Sequence, residues 1–429
     1  MNLFYNIGTR AYFAGIALAS AFGHRKAKQM QEGRKDWAMR LADQMKPLQG
    51  ERVIWFHAAS LGEFEQGRPL VEALRQYYPQ YSIVQTFFSP SGYEVRKNYK
   101  GADVICYLPY DTPAQCRKFL DLVHPDCAII VKYEFWGNLL QELKLRDIPT
   151  YLVSGIFRPR QAFFKWYGAM LRPVLKCFTH LFVQDEESRA LLYGVGIDNV
   201  TICGDTRFDR DIALQQQAKH FPWAEQFVGG GNFVLVAGSS WPKDEDILLA
   251  HFNAHPEMKL IIAPHEIHEE HVQQIISKLK RPYLRYSELK RRWESGELAE
   301  GTLPTDELVD CLIIDAIGFL SGIYRYGQVA YIGGGFGVGI HNTLEAAVYG
   351  IPVIFGPNHQ AFREALGLID AKGGFPIASA DEYDQIMSRF LSDKKFLTTS
   401  GQQAGAYVQD NSGATQTIFD AVMKRIEKA

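Results

Sequence analysis

The chain contains the stretch Tyr331-Ile332-Gly333-Gly334-Gly335-Phe336-Gly337-Val338-Gly339-Ile340-His341-Asn342-Thr343-Leu344-Glu345. An apolar strand leads into a glycine-rich loop, and a helix is predicted to begin near Asn342, with Glu345 completing a capping box. A strand, a glycine-rich loop and a helix in this order are typical of a Rossmann-like unit, whose loop amides face a phosphate. The spacing differs from G-x-G-x-x-G and therefore does not predict a dinucleotide site.

Two series of alternating strands and helices flank a polar stretch at residues 204–231. The first series predicts strands at 53–57, 81–86, 104–108, 127–131, 150–153 and 180–183, with a helix at 67–78. The second predicts strands at 233–237, 259–263, 311–315, 329–332 and 352–355. Strands separated by helices form parallel sheets covered on both faces. The predicted fold class is α/β, with two doubly wound, Rossmann-like domains facing an interdomain cleft.

The composition favours a globular chain of two ordinary domains, with 429 residues of which 47% are hydrophobic and 22% are charged. Nucleic-acid-binding proteins commonly have a broad basic surface and a positive net charge. The net charge of this chain is -2, so no nucleic acid partner is expected. The six cysteines include no Cys-x-x-Cys pair, which predicts free thiols in a reducing cytoplasm.

The N-terminal 23 residues include one charged side chain, Arg10, and an apolar run from Ala11 to Gly23. This run is shorter than the roughly 20 residues that span a bilayer. It fits a signal peptide cleaved near Ala19-Ser20-Ala21, a buried helix, or a helix in the membrane interface. Basic residues that attract anionic lipid follow at Arg25, Lys26, Lys28, Arg34 and Lys35. We therefore favour the interfacial helix and predict a membrane-associating segment at residues 1–45.

The loop His57-Ala58-Ala59-Ser60-Leu61-Gly62-Glu63-Phe64-Glu65 directly follows the first predicted strand. Ser60 and Glu63 have the spacing of a capping box, which is the structural interpretation of the pair. In the functional interpretation, Glu63 is a general base that removes a proton from a hydroxyl group. Glu134, at the end of another predicted strand, is either a solvated carboxylate or a ligand of sugar hydroxyls.

Two loops of the second series have the form of anion-binding sites. Residues Gly238-Ser239-Ser240-Trp241-Pro242 precede a helix predicted from Lys243, so their hydroxyls and amides either cap that helix or bind an anion. Pro264 and His265 begin the loop after the next strand, where a histidine can contact a nucleotide or phosphate.

No metal site is predicted. His265, His268 and His271 suggest zinc, but the sequence offers no fourth ligand at the spacing of a structural site. The letters of an Asp-x-Asp motif occur in Asp244-Glu245-Asp246, within a predicted helix.

Aromatic and basic residues interleave from Phe157 to Lys176. Such a segment either docks on a membrane or binds lipid phosphates, or it is an ordinary amphipathic helix. The sequence leaves these interpretations open.

Taken in order, the motifs between residues 50 and 415 resemble those of the 3-deoxy-D-manno-octulosonic acid (Kdo) transferases of lipopolysaccharide synthesis. Each matching piece is short, and their common order makes the set specific. The pieces are His57-x-x-Ser60-x-Gly62-Glu63, Glu134-x-Trp136-x-Asn138, Gln184-Asp185, Gly204 to Asp209, Ala237-Gly238-Ser239-Ser240-Trp241, His341-Asn342-x-Leu344-Glu345, Gly350-x-Pro352 and Phe355-Gly356-Pro357.

The resemblance implies a GT-B fold, with an acceptor-binding domain at 46–210 and a nucleotide-sugar-binding domain at 211–429, whose last helix is expected to pack back on the first domain. It implies inverting, metal-independent transfer of Kdo from CMP-Kdo to the tetraacylated lipid A precursor, without a cofactor, at the cytoplasmic face of the bacterial inner membrane. Glu63 is then the catalytic base. The acceptor-binding residues are expected to be Ser60, Gly62, Glu134 and Arg158, and the donor-binding residues Ser239, Ser240, Pro264, His265, Gly334, Gly335, Gly337, Asn342 and Glu345.

The chain departs from the family pattern where positive charge would meet phosphate. Pro264-His265-Glu266 replaces the common Pro-Arg-His, and Asp205 and Arg207 stand where an Asn and a Lys are usual. Arg158 and Arg207 are candidates to supply the missing charge. The alternative function is another GT-B glycosyltransferase, or a sugar-nucleotide epimerase, that uses a UDP- or ADP-sugar.

Overall fold

The computed structural model describes residues 3–229, 231–305 and 307–427. The first two residues of the predicted N-terminal segment and the last two of the predicted C-terminal domain lie outside the described residues, as do Gly230 and Asp306. The chain forms two compact units, one comprising residues 1–210 and 412–429 and the other residues 211–411. Each unit contains its own seven-stranded sheet.

The first unit has an all-parallel sheet. Its strands are β1 (Arg52–Ala58), β2 (Tyr81–Phe87), β3 (Val104–Tyr107), β4 (Cys127–Val131), β5 (Thr150–Gly155), β6 (His180–Val183) and β7 (Val200–Ile202), in the order β3-β2-β1-β4-β5-β6-β7. Its helices are α1 (Leu3–Ala21), α2 (Arg25–Arg34), α3 (Trp37–Met45), α4 (Leu61–Tyr77), α5 (Pro90–Arg96), α6 (Pro113–Val123), α7 (Gly137–Leu145), α8 (Arg172–Leu175) and α9 (Glu186–Tyr193). The division between the units falls within α10 (Thr206–Gln217).

The second unit repeats this plan. Its strands are β8 (Phe233–Ser240), β9 (Met258–Pro264), β10 (Tyr283–Arg285), β11 (Cys311–Ile313), β12 (Val329–Ile332), β13 (Val353–Phe355) and β14 (Gly374–Pro376), all parallel in the order β10-β11-β9-β8-β12-β13-β14. Its helices are α11 (Pro222–Val228), α12 (Pro242–Ala254), α13 (Glu269–Lys278), α14 (Tyr286–Glu294), α15 (Leu320–Ile323), α16 (Leu344–Ala347), α17 (Arg363–Asp370), α18 (Ala380–Ser392) and α19 (Lys394–Asp410). The last helix of the chain, α20 (Ala414–Ile426), belongs to the first unit.

The central strands are apolar at almost every position because helices cover both faces of each sheet. In β1, Trp55 packs into one hydrophobic cluster while Ile54 and Phe56 pack into the other, as the alternation of strand side chains requires. Ile418 and Val422 of α20 belong to the second cluster, so the last helix packs on the first sheet. All six cysteines have free thiols, as predicted. The predicted α/β class is confirmed.

Strand order reverses between β1 and β4 in the first sheet and between β8 and β12 in the second. In open parallel sheets, ligands bind beyond the carboxyl ends of the strands at this reversal. The loops that follow these four strands therefore carry the candidate sites.

One side of helix α1 packs on the first unit. Phe13 is buried, and its ring stacks on Tyr110 with centroids 4.2 Å apart. The Tyr5 hydroxyl donates to Asp111 Oδ2 (2.6 Å) and accepts from the Gly137 amide (2.7 Å). The other side exposes large apolar side chains, among them Phe4, Ile7 and Leu18. None of the helices in the described ranges is long and apolar enough to cross a membrane.

The aromatic and basic segment is not an amphipathic helix. Residues Ala162–Phe164 and Trp166–Leu171 form 3-10 turns, and α8 after them is a single turn. Phe163 packs against the core, whereas Trp166 is 89% exposed at the tip. The segment is a surface loop with an apolar tip.

In the second unit, Asp244 fixes the two loops at the strand reversal. This carboxylate is fully buried in the first turn of α12. Its Oδ2 accepts from the amides of Trp241 (2.9 Å) and Gly334 (2.8 Å), and its Oδ1 accepts from the Tyr331 hydroxyl (2.8 Å). Three donors and the positive end of the helix compensate the burial of the charge.

We expect Asp244→Asn to lower the free energy of unfolding by about 2–4 kcal/mol, because the amide NH₂ would face a backbone donor and leave it unpaired. Asp246→Asn is the matched control, since the Asp246 pair with Lys278 is exposed and should contribute below about 1 kcal/mol. Urea denaturation followed by tryptophan fluorescence measures both. Equal losses in the two variants would contradict the role assigned to Asp244.

Candidate active site

Ser60 and Glu63 lie where β1 leads into α4. Ser60 is the N-cap residue, but its side chain makes no capping hydrogen bond. Its hydroxyl instead donates to Oε2 of Glu63, which is half-buried in the first turn of the helix. The capping-box interpretation was therefore wrong, because both side chains are directed at each other. Glu63 Oε1 accepts no hydrogen bond from the described residues, which leaves one carboxylate oxygen able to accept a proton.

Glu134 follows β4 and lies across the strand reversal from β1. Its Oε2 accepts from the Trp136 indole (2.6 Å) and from His57 Nε2 (3.1 Å). His57 is fully buried, and its Nδ1 lies 2.8 Å from the Thr86 hydroxyl. Because an ionised carboxylate only accepts, the proton on Nε2 belongs to the imidazole. These contacts hold Glu134 through one oxygen.

Tyr133 interacts with both acidic and basic side chains of the candidate site. Burial raises the pKa of Tyr133, and the hydrogen bond and charge of Arg158 oppose that rise. Glu63 and Arg207 also act on this phenol, so each of them lies within electrostatic reach of Tyr133. Arg158 is exposed, whereas Arg207 is paired with Asp205 at 2.8 Å. Part of the Arg207 charge is therefore already neutralised.

Three non-glycine residues adopt left-handed backbone conformations at the carboxyl ends of the strands. They are Lys132 after β4, Ser154 in β5 and Ser239 in β8, with φ of 60°, 52° and 53°. Such strain concentrates at functional sites, where the surrounding fold maintains it. By contrast, a Cβ on Gly62 would approach only Ser60 Oγ, at 4.0 Å, so protein packing does not require glycine there.

In the second unit, the Ser240 side chain is buried and hydrogen-bonded within the protein. Its hydroxyl donates to Glu245 Oε1 (2.9 Å), whose other oxygen lies 2.9 Å from His271 Nε2. All three side chains are buried. The helix begins at Pro242 with Trp241 as its N-cap, so neither serine caps it, contrary to the sequence-based interpretation. Ser239, half-buried beside the bulge in β8, remains nearer to solvent.

Three aromatic side chains cluster above the second sheet. His265 stacks on Trp241 (4.8 Å between centroids) and on His341 (4.5 Å). The Trp241 indole donates to His341 Nε2 (3.1 Å). Indole only donates, so His341 carries its proton on Nδ1. Burial, together with the neighbouring His265, lowers the pKa of His341 to about 4.

The glycine-rich loop is shaped by close backbone packing. Gly334 has φ of 91°, and a Cβ there would lie 2.3 Å from the Gly339 carbonyl oxygen. A Cβ on Gly335 would lie 2.5 Å from Gly356 Cα. A Cβ on Gly337 would meet nothing within 4 Å. Packing therefore requires the first two glycines, and the third faces open space.

Asn342 and Glu345 form one polar group with Asp211. The Asn342 amide donates to Asp211 Oδ2 (2.9 Å) and Glu345 Oε1 (3.1 Å), and its oxygen accepts from the Leu344 amide (3.1 Å). Helix α16 begins at Leu344, near the predicted start, and has one turn, but its N-cap residue is Thr343 and not the predicted Asn342. The loop continues to Thr343 because the Asn342 side chain occupies the position of a cap.

The three histidines considered for zinc make different contacts within the protein. His265 belongs to the aromatic cluster, and His268 Nδ1 caps α13. Glu266, His268 and His271 lie close enough to share an ion. However, both ring nitrogens of His271 already face partners, Glu245 and the Glu266 carbonyl.

Several residues of these sites were missing from the predicted set. His57, Trp241 and His341 stand in the quoted motifs and Tyr133 directly precedes one, but their roles depend on partners elsewhere in the chain. Their position at the end of a predicted strand or in the loop that follows it was the available signal. The structure groups Ser60, Glu63, Glu134 and Arg158 at one strand reversal, and Ser239, Pro264, His265 and the glycine-rich loop at the other.

Residues 35–210 match a family model described as "3-Deoxy-D-manno-octulosonic-acid transferase (kdotransferase)". A 3-deoxy-D-manno-octulosonic acid transferase of Haemophilus influenzae is 28% identical, over 89% of this chain and 88% of the relative. The same-named protein of Aquifex aeolicus is 27% identical, over 83% of this chain and 92% of the relative.

Among solved structures, the UDP-GlcNAc 2-epimerase of Neisseria meningitidis matches with a TM-score of 0.60 and 14% identity, over 87% of this chain and 100% of that chain. MurG of Acinetobacter baumannii matches with a TM-score of 0.53 and 13% identity, over 87% and 99%. At such identities the likeness establishes the fold alone, and the predicted GT-B class is confirmed.

The sequence relatives are more specific, because several carry the same name over most of the chain and the family model covers the loops of Glu63 and Glu134. The chain thus contains a stretch that matches the Kdo transferase model and is similar over most of its length to proteins named 3-deoxy-D-manno-octulosonic acid (Kdo) transferase, which are glycosyltransferases.

Proposed function

We propose that this protein transfers Kdo from CMP-Kdo to the tetraacylated lipid A precursor (lipid IVA) in lipopolysaccharide synthesis, with inversion and without a metal ion. The observation that carries this proposal is Glu63, a carboxylate held by Ser60 through one oxygen, with its other oxygen open. Such a group can accept a proton from an acceptor hydroxyl at the moment of attack.

The acceptor is assigned to the first unit. Glu134 accepts hydrogen bonds from sugar hydroxyls, and Arg158 meets an acceptor phosphate, since its guanidinium is exposed. Arg207 is a weaker candidate for phosphate, because Asp205 already pairs with it. Gly62 lets the acceptor approach the backbone beside Glu63 closely.

The donor is assigned to the second unit. Its phosphate lies near exposed His265 and the glycine-rich loop, since Asp244 already occupies the N-terminus of α12. Glu345 accepts from the ribose hydroxyls, and Gly337 offers open backbone. Ser239 is the hydroxyl of the pair available to a ligand, whereas Ser240, Gly334 and Gly335 shape the site.

The reaction is a single displacement. Glu63 takes the proton of a primary hydroxyl on the acceptor, and the oxygen forms a bond to the anomeric carbon of Kdo as the bond to the CMP phosphate breaks. CMP leaves with the bonding electron pair, and the donor-site amides stabilise its charge. The carboxylates of Asp244, Glu245 and Asp246 are bound to protein partners, which supports a mechanism independent of metal.

We expect Glu63→Gln to lower kcat for Kdo transfer at least about 100-fold, because the amide keeps the shape and lacks the base. Purified protein is incubated with CMP-Kdo generated in situ and the tetraacylated precursor, and the lipid is analysed by mass spectrometry. EDTA added after the donor has formed should leave the rate unchanged.

Glu187→Gln is the matched control for Glu63, since it removes an exposed carboxylate from the first turn of α9, also directly after a strand. This variant should retain the wild-type rate. Full turnover by the Glu63 variant would reject the assigned base. Turnover by the wild type with a UDP-sugar in place of CMP-Kdo would favour the alternative glycosyltransferase.

We place this reaction at the cytoplasmic face of the inner membrane. Phe4, Ile7 and Leu18 form an exposed apolar stripe on α1, and the exposed Arg25, Lys26 and Lys28 of α2 follow it. Arg34, predicted from the sequence to be among the lipid-facing charges, is buried against the Leu108 and Phe88 carbonyls and cannot serve there. Exposed Trp166 at the tip of the aromatic loop offers a second contact. Apolar insertion and attraction to anionic lipid together suit an interfacial helix.

Replacing Phe4, Ile7 and Leu18 together by Ser should weaken sedimentation with anionic vesicles by roughly tenfold or more, because the apolar area that enters the interface is lost. Replacing Leu145, Leu308 and Leu366 by Ser is the control, since these exposed leucines lie on other elements. Equal vesicle binding by the two triple variants would exclude α1 as the docking element.

The neutral state of His341 makes the donor side sensitive to acid. Its pKa is lowered to about 4 from the ordinary 6.5, so below pH 6.5 the unfolded chain binds the proton more tightly than the folded one. The stability contributed by this group is complete above pH 6.5 and is lost as the pH falls towards 4. Protonation also opposes the hydrogen bond from Trp241.

We therefore expect His341→Gln, which cannot titrate, to lose less thermal stability than the wild type between pH 6.5 and pH 4. Thermal unfolding midpoints measured across this range test the difference. His220→Gln, at an exposed histidine, should follow the wild-type curve. A His341 variant as pH-sensitive as the wild type would refute the role of this imidazole.

A further inference from the structure

Helix α1 forms one wall of a groove beside the candidate acceptor residues. Gly8 and Tyr12 line it on the helix side, and Tyr133, Glu134 and Trp136 line it on the side of the loop after β4. The volume of this α1 groove is about 500 Å³, within the range of small-molecule sites.

The chemistry of the α1 groove fits an uncharged sugar ring. Aromatic rings offer flat apolar faces, on which the C–H face of a pyranose can lie. Oε2 of Glu134 accepts hydrogen bonds from His57 and Trp136, and its Oε1 accepts none from the described residues. A carboxylate oxygen among aromatic rings accepts from hydroxyl or amide groups and repels a phosphate. An acyl chain in the groove would bury the Oε1 atom of Glu134 without a hydrogen-bond donor.

Tyr133 connects the α1 groove with the proposed catalytic side chains. It lines the groove, its side chain interacts with Arg158, and it is within electrostatic reach of Glu63. A ring seated against Tyr133 therefore contacts a residue on which both the proposed base and a guanidinium act.

The helix wall is rigidly fixed. Asp111 is buried and accepts from the Tyr5 hydroxyl and from the amides of Asn138 and Leu139 at the start of α7. The Asn138 side chain also bonds Asn6 of α1 at 2.9 Å. A wall held in this way can position a ligand, as a binding site requires.

We propose that the α1 groove holds a hexosamine ring of the acceptor, so that α1 is part of the acceptor site. This inference rests on the proposed function for the identity of the sugar. It assigns Gly8 and Tyr12, which lie far from the other site residues in sequence, to acceptor recognition.

The test is Gly8→Leu, which fills the α1 groove from the helix side. A Cβ on Gly8 meets nothing within 4 Å, and leucine favours a helix more than glycine, so the variant should fold. Gly15→Leu is the matched control: it lies on the same helix, also has open space, and does not line the groove. Calorimetry measures the affinity of each variant for the bisphosphorylated disaccharide of N-acetylglucosamine, whose rings carry neutral amides in place of the acyl chains.

We expect Gly8→Leu to weaken binding of the disaccharide by roughly tenfold or more and to raise the acceptor KM similarly, while the CMP-Kdo KM is unchanged. Gly15→Leu should match the wild type in all three. Equal disaccharide affinity of the two variants overturns the proposal, as does a loss confined to the acylated acceptor, which would place an acyl chain in the groove. Absence of transfer by the wild type would reject the proposed function, and the binding measurement would still decide the groove.

Discussion

A hydrogen-bonded polar bridge, buried in the second unit and half-buried in the first, spans the strand reversal in each sheet, and the candidate sites depend on it. In the second unit, Asp244 joins the loop after β8 to the loop after β12 through the amides of Trp241 and Gly334. In the first unit, His57 at the end of β1 bonds Glu134 after β4. At a reversal the neighbouring helices lie on opposite faces, and the loops separate. A buried carboxylate with several donors holds such loops in one arrangement, since any other would leave charge unpaired.

Much of this fold was predictable, because the central strands are continuous apolar runs. The predicted β4, β6 and β12 have the observed bounds. The omitted strands, β7, β10 and β14, have three residues each and lie at sheet edges. At an edge a strand has one neighbour and less apolar surface to bury, so its sequence carries a weak pattern. Strand order depends on contacts between distant segments and could not be obtained from local periodicity.

The location of the candidate site residues could be predicted from the sequence, but the role of each residue was harder to predict. Loops after strands pointed to Glu63, Glu134, Ser240 and Asn342, and all lie at a strand reversal. Which of them can meet a ligand depends on partners that the motifs do not identify: Glu245 accepts from the Ser240 hydroxyl, and the distant Asp211 accepts from the Asn342 amide. Some motif residues thus use their polar atoms to shape a loop, and others keep a polar atom that can bind a ligand. Only the three-dimensional structure separates the two.

Helix α1 has one side that is exposed and apolar and another side that packs on the protein. Its exposed stripe suits a lipid interface, and its opposite side is fastened through Tyr5 and Asn6 to the start of α7, next to Glu134. An anchor that only tethered the enzyme would not need buried hydrogen bonds to the strand-end loop. Because the fastening is rigid, docking of α1 on a membrane would set the direction in which Glu134 and its groove face the lipid. An acceptor sugar at that surface would then meet the proposed base in a defined orientation, and less rotational freedom would be lost on binding.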